Sequence, residues 1–152
     1  MKFCTIDPGY LTAGIAIYAE PRKYLAAWEE KFIGSTTAWV LDDVFFKIRH
    51  TLKAWNVEKV YCEEPRYFKE TAAKTNALTK LCFAYGATRA AASSLEIEFE
   101  AIPLAWKGTI PDSAVMARAN MILYGKTHWD ENIKSHSGDA IAIGLFVKGL
   151  WK

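Results

Sequence analysis

The sequence lacks any apolar run long enough to cross a membrane, and it lacks a recognisable secretory leader. No window of the 152 residues approaches the roughly eighteen uninterrupted apolar residues that a spanning helix needs. The first nine residues, MKFCTIDPG, contain neither the apolar core nor the small-residue cleavage site of a signal peptide. We therefore expect a cytoplasmic protein without a membrane partner.

Cysteine is scarce, which argues against a disulfide framework and against zinc. The three cysteines, Cys4, Cys62 and Cys82, are an odd number and form no C-x-x-C pair. Cys4 and Cys62 stand among strand-forming residues, where buried reduced thiols are the ordinary expectation. The spacing between the cysteines and the three histidines matches no standard zinc finger.

Net charge is also small, and only its distribution is informative. Nineteen basic and seventeen acidic residues give +2, too little to predict a nucleic-acid partner. However, the segment 66–94 contains five basic residues and one acidic residue. This segment can be read as a solvated helix face or as a surface that binds a polyanion.

The chain contains no repeats, low-complexity tracts or linker-like runs, and 51% of its residues are hydrophobic. We therefore expect one domain over residues 1–152. Apolar periodicity and turn residues predict strands at 2–7, 12–19, 24–33, 57–63 and 97–102, and helices at 36–55, 68–94, 112–124 and 137–150. For the third helix, Asp112 or Ser113 is the expected cap. This order predicts an α/β protein with a mixed five-stranded sheet and helices on both faces, and it resembles the ribonuclease H-like fold.

Acidic residues follow two of the predicted strands. Asp7 ends the first strand before the turn residues Pro8 and Gly9, and Glu63 and Glu64 end the fourth. Adjacent strand residues face opposite sides of a sheet, so only one glutamate can join Asp7. Close carboxylates require protons or cations, which favours a divalent metal. Taken alone, Asp7 could equally be a turn aspartate.

The last predicted helix begins with a second candidate pair. His136 and Asp139 are three residues apart, which places both side chains on one face of the first turn. Taken alone, the pair is equally typical of ordinary helix-start chemistry, with Asp139 complementing the helix dipole.

Three motifs together resemble the RuvC family of Holliday junction resolvases: IDPG at 6–9 with Gly14, Glu63 after a strand, and SHSGDAIAI at 135–143. They occur in the family order from residue 3 to about residue 146. The resemblance implies that Asp7, Glu63, His136 and Asp139 are catalytic metal ligands. The segment AWKG at 105–108 is similar to the family's basic segment and makes Lys107 a catalytic candidate for phosphate contact.

The resemblance also implies cofactors and partners. The expected cofactors are two Mg²⁺ ions per site, which Mn²⁺ could replace. The expected substrate is branched DNA, in which a homodimer makes paired nicks during recombination and repair. The Ala-rich stretch 74–92 is the expected dimer surface, and the compact chain is similar to phage-encoded members acting in a bacterial host. The expected DNA contacts are Arg66, Tyr67, Phe68, Lys69, Lys74 and Lys107.

Two other functions fit part of the pattern. The same acids would serve a ribonuclease H-like nuclease acting on structured RNA, flaps or forks. A nucleotide-binding module of the actin and sugar-kinase kind also opens with an Asp-x-Gly segment before a glycine-bearing strand. Such proteins use two domains around the nucleotide, whereas 152 residues supply one.

Overall fold

The computed structural model describes residues 1–20, 23–65, 75–125 and 135–151. Its strands are β1 (Lys2–Asp7), β2 (Thr12–Ala19), β3 (Lys23–Lys31), β4 (Lys59–Glu63) and β5 (Glu98–Ile102). Its helices are α1 (Thr37–Ala54), α2 (Thr75–Ser93), α3 (Asp112–Tyr124) and α4 (Ser135–Val147), with a short 3₁₀ turn at Leu104–Lys107. No helix among these residues is both long and apolar enough to span a bilayer.

The five strands form one mixed sheet in the order β3-β2-β1-β4-β5. The first three strands pair antiparallel as a meander, while β1–β4 and β4–β5 pair parallel. The predicted mixed five-stranded sheet is confirmed, and β1 and β4 are neighbours in it.

Alternate residues of the strands serve two separate cores. Cys4 and Ile6 of β1 pack with Ile48 of α1, on what we call the apolar face. Phe3 of the same strand packs with Ile141 of α4, on what we call the α4 face. Helices thus cover both faces, as the sequence predicts, because side chains of a strand alternate in direction.

Strands β4 and β5 begin later than predicted. In both cases the preceding helix closes with a residue of positive φ and a backbone hydrogen bond that involves the next residue. After α1, Asn56 takes a positive φ of 52° and the Val57 N–H donates to the Leu52 carbonyl. After α2, Glu96 takes a φ of 57° and the Ile97 N–H donates to a helix carbonyl. These helix-closing bonds use the first residue expected to belong to each strand.

Strand β3 ends two residues earlier than expected. The Phe32 N–H donates to the Leu11 carbonyl, and the Ile33 N–H donates to the Asp43 carboxylate of α1. These bonds lead the chain out of the ladder and toward α1.

Helix α4 begins at Ser135 and ends at Val147, before the predicted end at 150, because Gly149 takes a φ of 67° and closes the helix. The expected cap of α3 is wrong. Pro111 occupies the cap position, and its fixed φ is compatible with a helix start. For α2, the part of the expected helix before Thr75 lies outside the described residues.

Candidate active site

Asp7 and Glu63 lie side by side at the ends of β1 and β4. Ile6 pairs with Cys62 in the parallel ladder, so the next residues, Asp7 and Glu63, are neighbours. Both point to the α4 face, because Ile6 and Cys62 belong to the apolar face. Asp7 is only 8% exposed. Glu64 is exposed, so Glu63 is the member of the doublet that joins Asp7.

Helix α4 brings its first turn to the same place by contacting the sheet directly. The Thr5 hydroxyl donates to the Ala140 carbonyl at 2.6 Å, and the Tyr18 hydroxyl donates to the Ile141 carbonyl at 2.7 Å. A Cβ at Gly14 would collide with the backbone of His136, so only glycine permits this approach. The glycine of the second strand therefore allows the first turn of α4 to lie this close to the sheet.

The side chain of His136 contacts Asp7. Its Nδ1 lies 2.7 Å from Asp7 Oδ2, and its backbone N–H donates to Glu29 Oε1 at 3.3 Å. The hydrogen bond with Asp7 raises the pKa of His136, the charges of Asp7, Glu29 and Asp139 raise it further, and burial opposes them. Glu29 was not expected at the site, although it stands opposite Gly14 in the β2–β3 ladder.

The 3₁₀ turn after β5 supplies two further side chains. The Trp106 indole Nε1–H donates to Glu63 Oε2 at 2.7 Å. The ammonium of Lys107 lies 3.2 Å from Asp139 Oδ1 and 3.3 Å from Oδ2. The structure therefore brings Lys107 to the acids, as expected from the sequence, and adds Trp106, which was not expected.

The electrostatics identify the carboxylates as one interacting group. Burial raises the pKa of Glu63 from 4.5 to about 7, and the negative charge of Asp7 is the next largest cause. Asp139 raises this pKa further, whereas the Trp106 hydrogen bond and the Lys107 charge lower it. Ionised Glu63 is therefore unfavourable near its neighbours and would gain from a nearby cation.

The donor set fits a hard divalent cation, because three carboxylates and one imidazole meet at one end of the α4 face. The position of Glu63 supports the fit, because its carboxylate is partly buried beside Asp7 and its pKa is raised there. Within the described ranges, no three acid, histidine or cysteine side chains surround a single point closely enough to hold an ion. Asp7, Glu63 and Asp139 instead contact a histidine, an indole and an ammonium. Their role as a ligand set stays a prediction.

One cleft borders the acids and another borders His136. One, of about 130 Å³, is lined in part by Asp7, Glu63 and Glu64. The other, of about 350 Å³, lies beyond His136 and includes Lys80 of α2, whose ammonium is 5.0 Å from the centroid of the Tyr10 ring. Lys80 belongs to the basic segment of the sequence but was not singled out there.

The other expected DNA contacts, Arg66, Tyr67, Phe68, Lys69 and Lys74, lie outside the described residues. Of the expected dimer surface, the described part is α2. Its residues Ala84, Ala91 and Ala92 are buried, and α2 packs against α1. The opposite side, with Phe83, is exposed. The dimer stays a prediction.

No family model and no curated protein matches this sequence significantly. Solved structures do match. T. thermophilus RuvC in complex with Holliday junction substrate is 22% identical, with a TM-score of 0.77 over 96% of this chain and 91% of that chain. A second Thermus thermophilus RuvC structure is 23% identical, with a TM-score of 0.75 over 96% and 92%. The yeast mitochondrial Holliday junction resolvase Ydc2 is 12% identical, with a TM-score of 0.61 over 98% and 77%. The fold is therefore that of RuvC, which is ribonuclease H-like, and the expected resemblance is confirmed at the level of the fold.

Proposed function

We propose that this protein is a divalent-metal-dependent endonuclease that resolves four-way DNA junctions. One observation carries the proposal: Asp7, Glu63 and Asp139, from three separate segments, meet at one end of the α4 face of a RuvC fold. A fold alone does not determine a function, so the acids rather than the sheet support the chemistry.

The acids would hold the metal, and the neighbouring side chains would assist. Asp7, Glu63, Asp139 and His136 are the residues that would bind two Mg²⁺ or Mn²⁺ ions. When bound, such ions activate a water and stabilise the leaving 3′ oxygen of a phosphodiester. Lys107, 3.2 Å from Asp139, would offset the charge on the phosphate. If His136 does not bind an ion, its neutral imidazole would instead accept a proton at Nε2, the nitrogen that does not face Asp7.

The expected substrate is branched DNA. Two bound divalent ions would add four positive charges and turn a net charge of +2 into about +6, which favours a polyanion. Lys107 lies at the acids and Lys80 in the cleft beyond His136, so cationic groups stand on two sides of the site. A four-way junction has two equivalent strands to cut, and a two-fold homodimer with two sites would make paired nicks.

The experiment compares matched four-way, forked and linear duplex DNA in Mg²⁺. Wild type should nick opposed strands of the junction, and Asp7→Asn should bind the junction without cutting it. Asp42→Asn, on an exposed position of α1, is the matched control and should cut normally. Preferred cleavage of forks, flaps or RNA would instead indicate another nuclease of this fold. Nucleotide binding without cleavage would indicate the nucleotide-binding module.

A further inference from the structure

Glu63 is bonded to a residue outside the set of acids and bases. The Trp106 indole Nε1–H donates to Glu63 Oε2 at 2.7 Å, a short and direct hydrogen bond. Trp106 itself is 5% exposed. A buried indole N–H needs an acceptor, and here the acceptor is a carboxylate that stands beside Asp7.

The indole is held in place by rings behind it. The Trp106 ring lies 5.7 Å from the Trp151 ring at 68° and 6.5 Å from the Phe146 ring, centroid to centroid. The backbone of the turn is closed by bonds from the Trp106 N–H to the Pro103 carbonyl and from the Gly108 N–H to the Ala105 carbonyl. Ring packing and backbone hydrogen bonds therefore hold the Trp106 indole in position independently of its bond to Glu63.

An indole supplies a different kind of contact from an ammonium. Its N–H donates one hydrogen bond, carries no charge and does not titrate. It therefore fixes one oxygen of Glu63 without neutralising the carboxylate, and it leaves Oε1 to accept another bond. Lys107, the next residue, instead brings a full positive charge to Asp139.

We propose that Trp106 is a positioning residue that holds Glu63 in the orientation in which its second oxygen serves the acid cluster. This role rests on the proposed function, because it assigns a purpose to that orientation. Since Trp106 and Lys107 are consecutive in one turn, the turn also links the acid of β4 to the acid of α4.

The test uses Trp106→Phe, which keeps an aromatic ring and removes the N–H. Trp151→Phe is the matched control, because it keeps an aromatic ring behind Trp106 and leaves the Trp106 N–H and its bond to Glu63 in place. Loss of a comparable supporting hydrogen bond typically costs about 10- to 100-fold in metal affinity or activity. We expect Trp106→Phe to lower kcat for junction cleavage by such a factor with little change in KM, and to weaken Mn²⁺ binding measured without DNA. Trp151→Phe should stay within about threefold of wild type in both, and equal effects of the two variants would overturn the proposal.

A second measurement does not depend on whether Trp106→Phe folds. In a ¹H–¹⁵N spectrum of the metal-free protein, Glu63→Gln should move the Trp106 indole resonance more than that of Trp151. A Trp106 resonance that does not respond to Glu63→Gln would contradict the bond.

The two proposals fail separately. A wild type that binds Mn²⁺ but cuts no junction would overturn the proposed function alone, and a weaker Mn²⁺ affinity of Trp106→Phe than of Trp151→Phe would still support the positioning role.

Discussion

The two faces of the sheet are built from the same strands but do different work. On the apolar face, Ile6 and Val60 pack against helix α1 with no polar partner needed. On the α4 face, Thr5 and Tyr18 donate hydrogen bonds to helix carbonyls, and the strands end in Asp7 and Glu63. Because side chains alternate in direction, neighbouring residues of one strand lie on opposite faces, one in the core and the next at the candidate site. Glu63 and Glu64 show how sharp this division is.

The faces also differ in what they contribute to stability. Full burial of a side chain such as Ile6 stabilises the fold by about 1.5–3 kcal/mol. Glu63 contributes in the opposite sense, because its burial beside Asp7 raises its pKa to about 7 and so disfavours its ionised form. The arrangement suits a site that binds a cation, and it is tolerated because hydrophobic cores on both faces of the sheet supply the stability.

Substitution of the adjacent residues Glu63 and Glu64 should give the largest difference in activity between the two faces of the sheet. Glu63→Gln should lower junction cleavage by about 10³-fold, because it removes one charged group of the cluster. Glu64→Gln changes the same atoms one residue further along, at an exposed position, and should retain most activity. Rates are measured at saturating Mg²⁺. If Glu64→Gln lost more activity than Glu63→Gln, the active acid would not lie on the α4 face, which would contradict the proposal.

The apolar face should respond in the opposite way. Ile48 is fully buried in the core beside β1. The Ile48→Ala variant should have an unfolding free energy about 2–5 kcal/mol below that of wild type, because the substitution leaves a cavity in the core. Cleavage per folded molecule should be unchanged. Phe46→Ala on the same helix is the control, since that side chain is 64% exposed and should cost no more than about 0.5 kcal/mol. Urea unfolding measures the stability of both variants. If folded Ile48→Ala lost cleavage activity, the apolar face would contribute to catalysis, which would contradict the separation of the two faces.

A smaller effect concerns the pH dependence of stability without metal. The folded pKa of Glu63, about 7, exceeds its ordinary value of 4.5, so the folded state binds this proton more tightly than the unfolded state. Its contribution is favourable when the group is protonated and becomes unfavourable as pH rises from about 4.5 through about 7. Glu63→Gln should remove this loss and be more stable than wild type at pH 8 by roughly 1–3 kcal/mol. Urea unfolding in EDTA at pH 5 and pH 8 measures it, and Glu64→Gln should follow wild type.

The sequence predicts local features of this protein better than contacts between distant segments. Strands β1 and β2 occur at their predicted bounds, because each is a nearly continuous run of apolar and small residues next to a turn signal. The parallel pairing of β1 with β4 brings Asp7 beside Glu63. In contrast, Trp106 meets Glu63 across 43 positions and Glu29 meets His136 across 107. Neither partner carries a periodic signal, because such contacts depend on how the turn and the helix pack on the sheet.

We expect the acidic end of the α4 face to bind a divalent cation through Glu63 rather than Glu64. The most direct measurement is the Tm of wild type, Glu63→Gln and Glu64→Gln with and without Mg²⁺, because a ligand that binds the folded state raises the Tm. Mg²⁺ should raise the Tm of wild type and Glu64→Gln alike and raise that of Glu63→Gln much less. No rise in wild type, or an equal rise in all three proteins, would contradict the account.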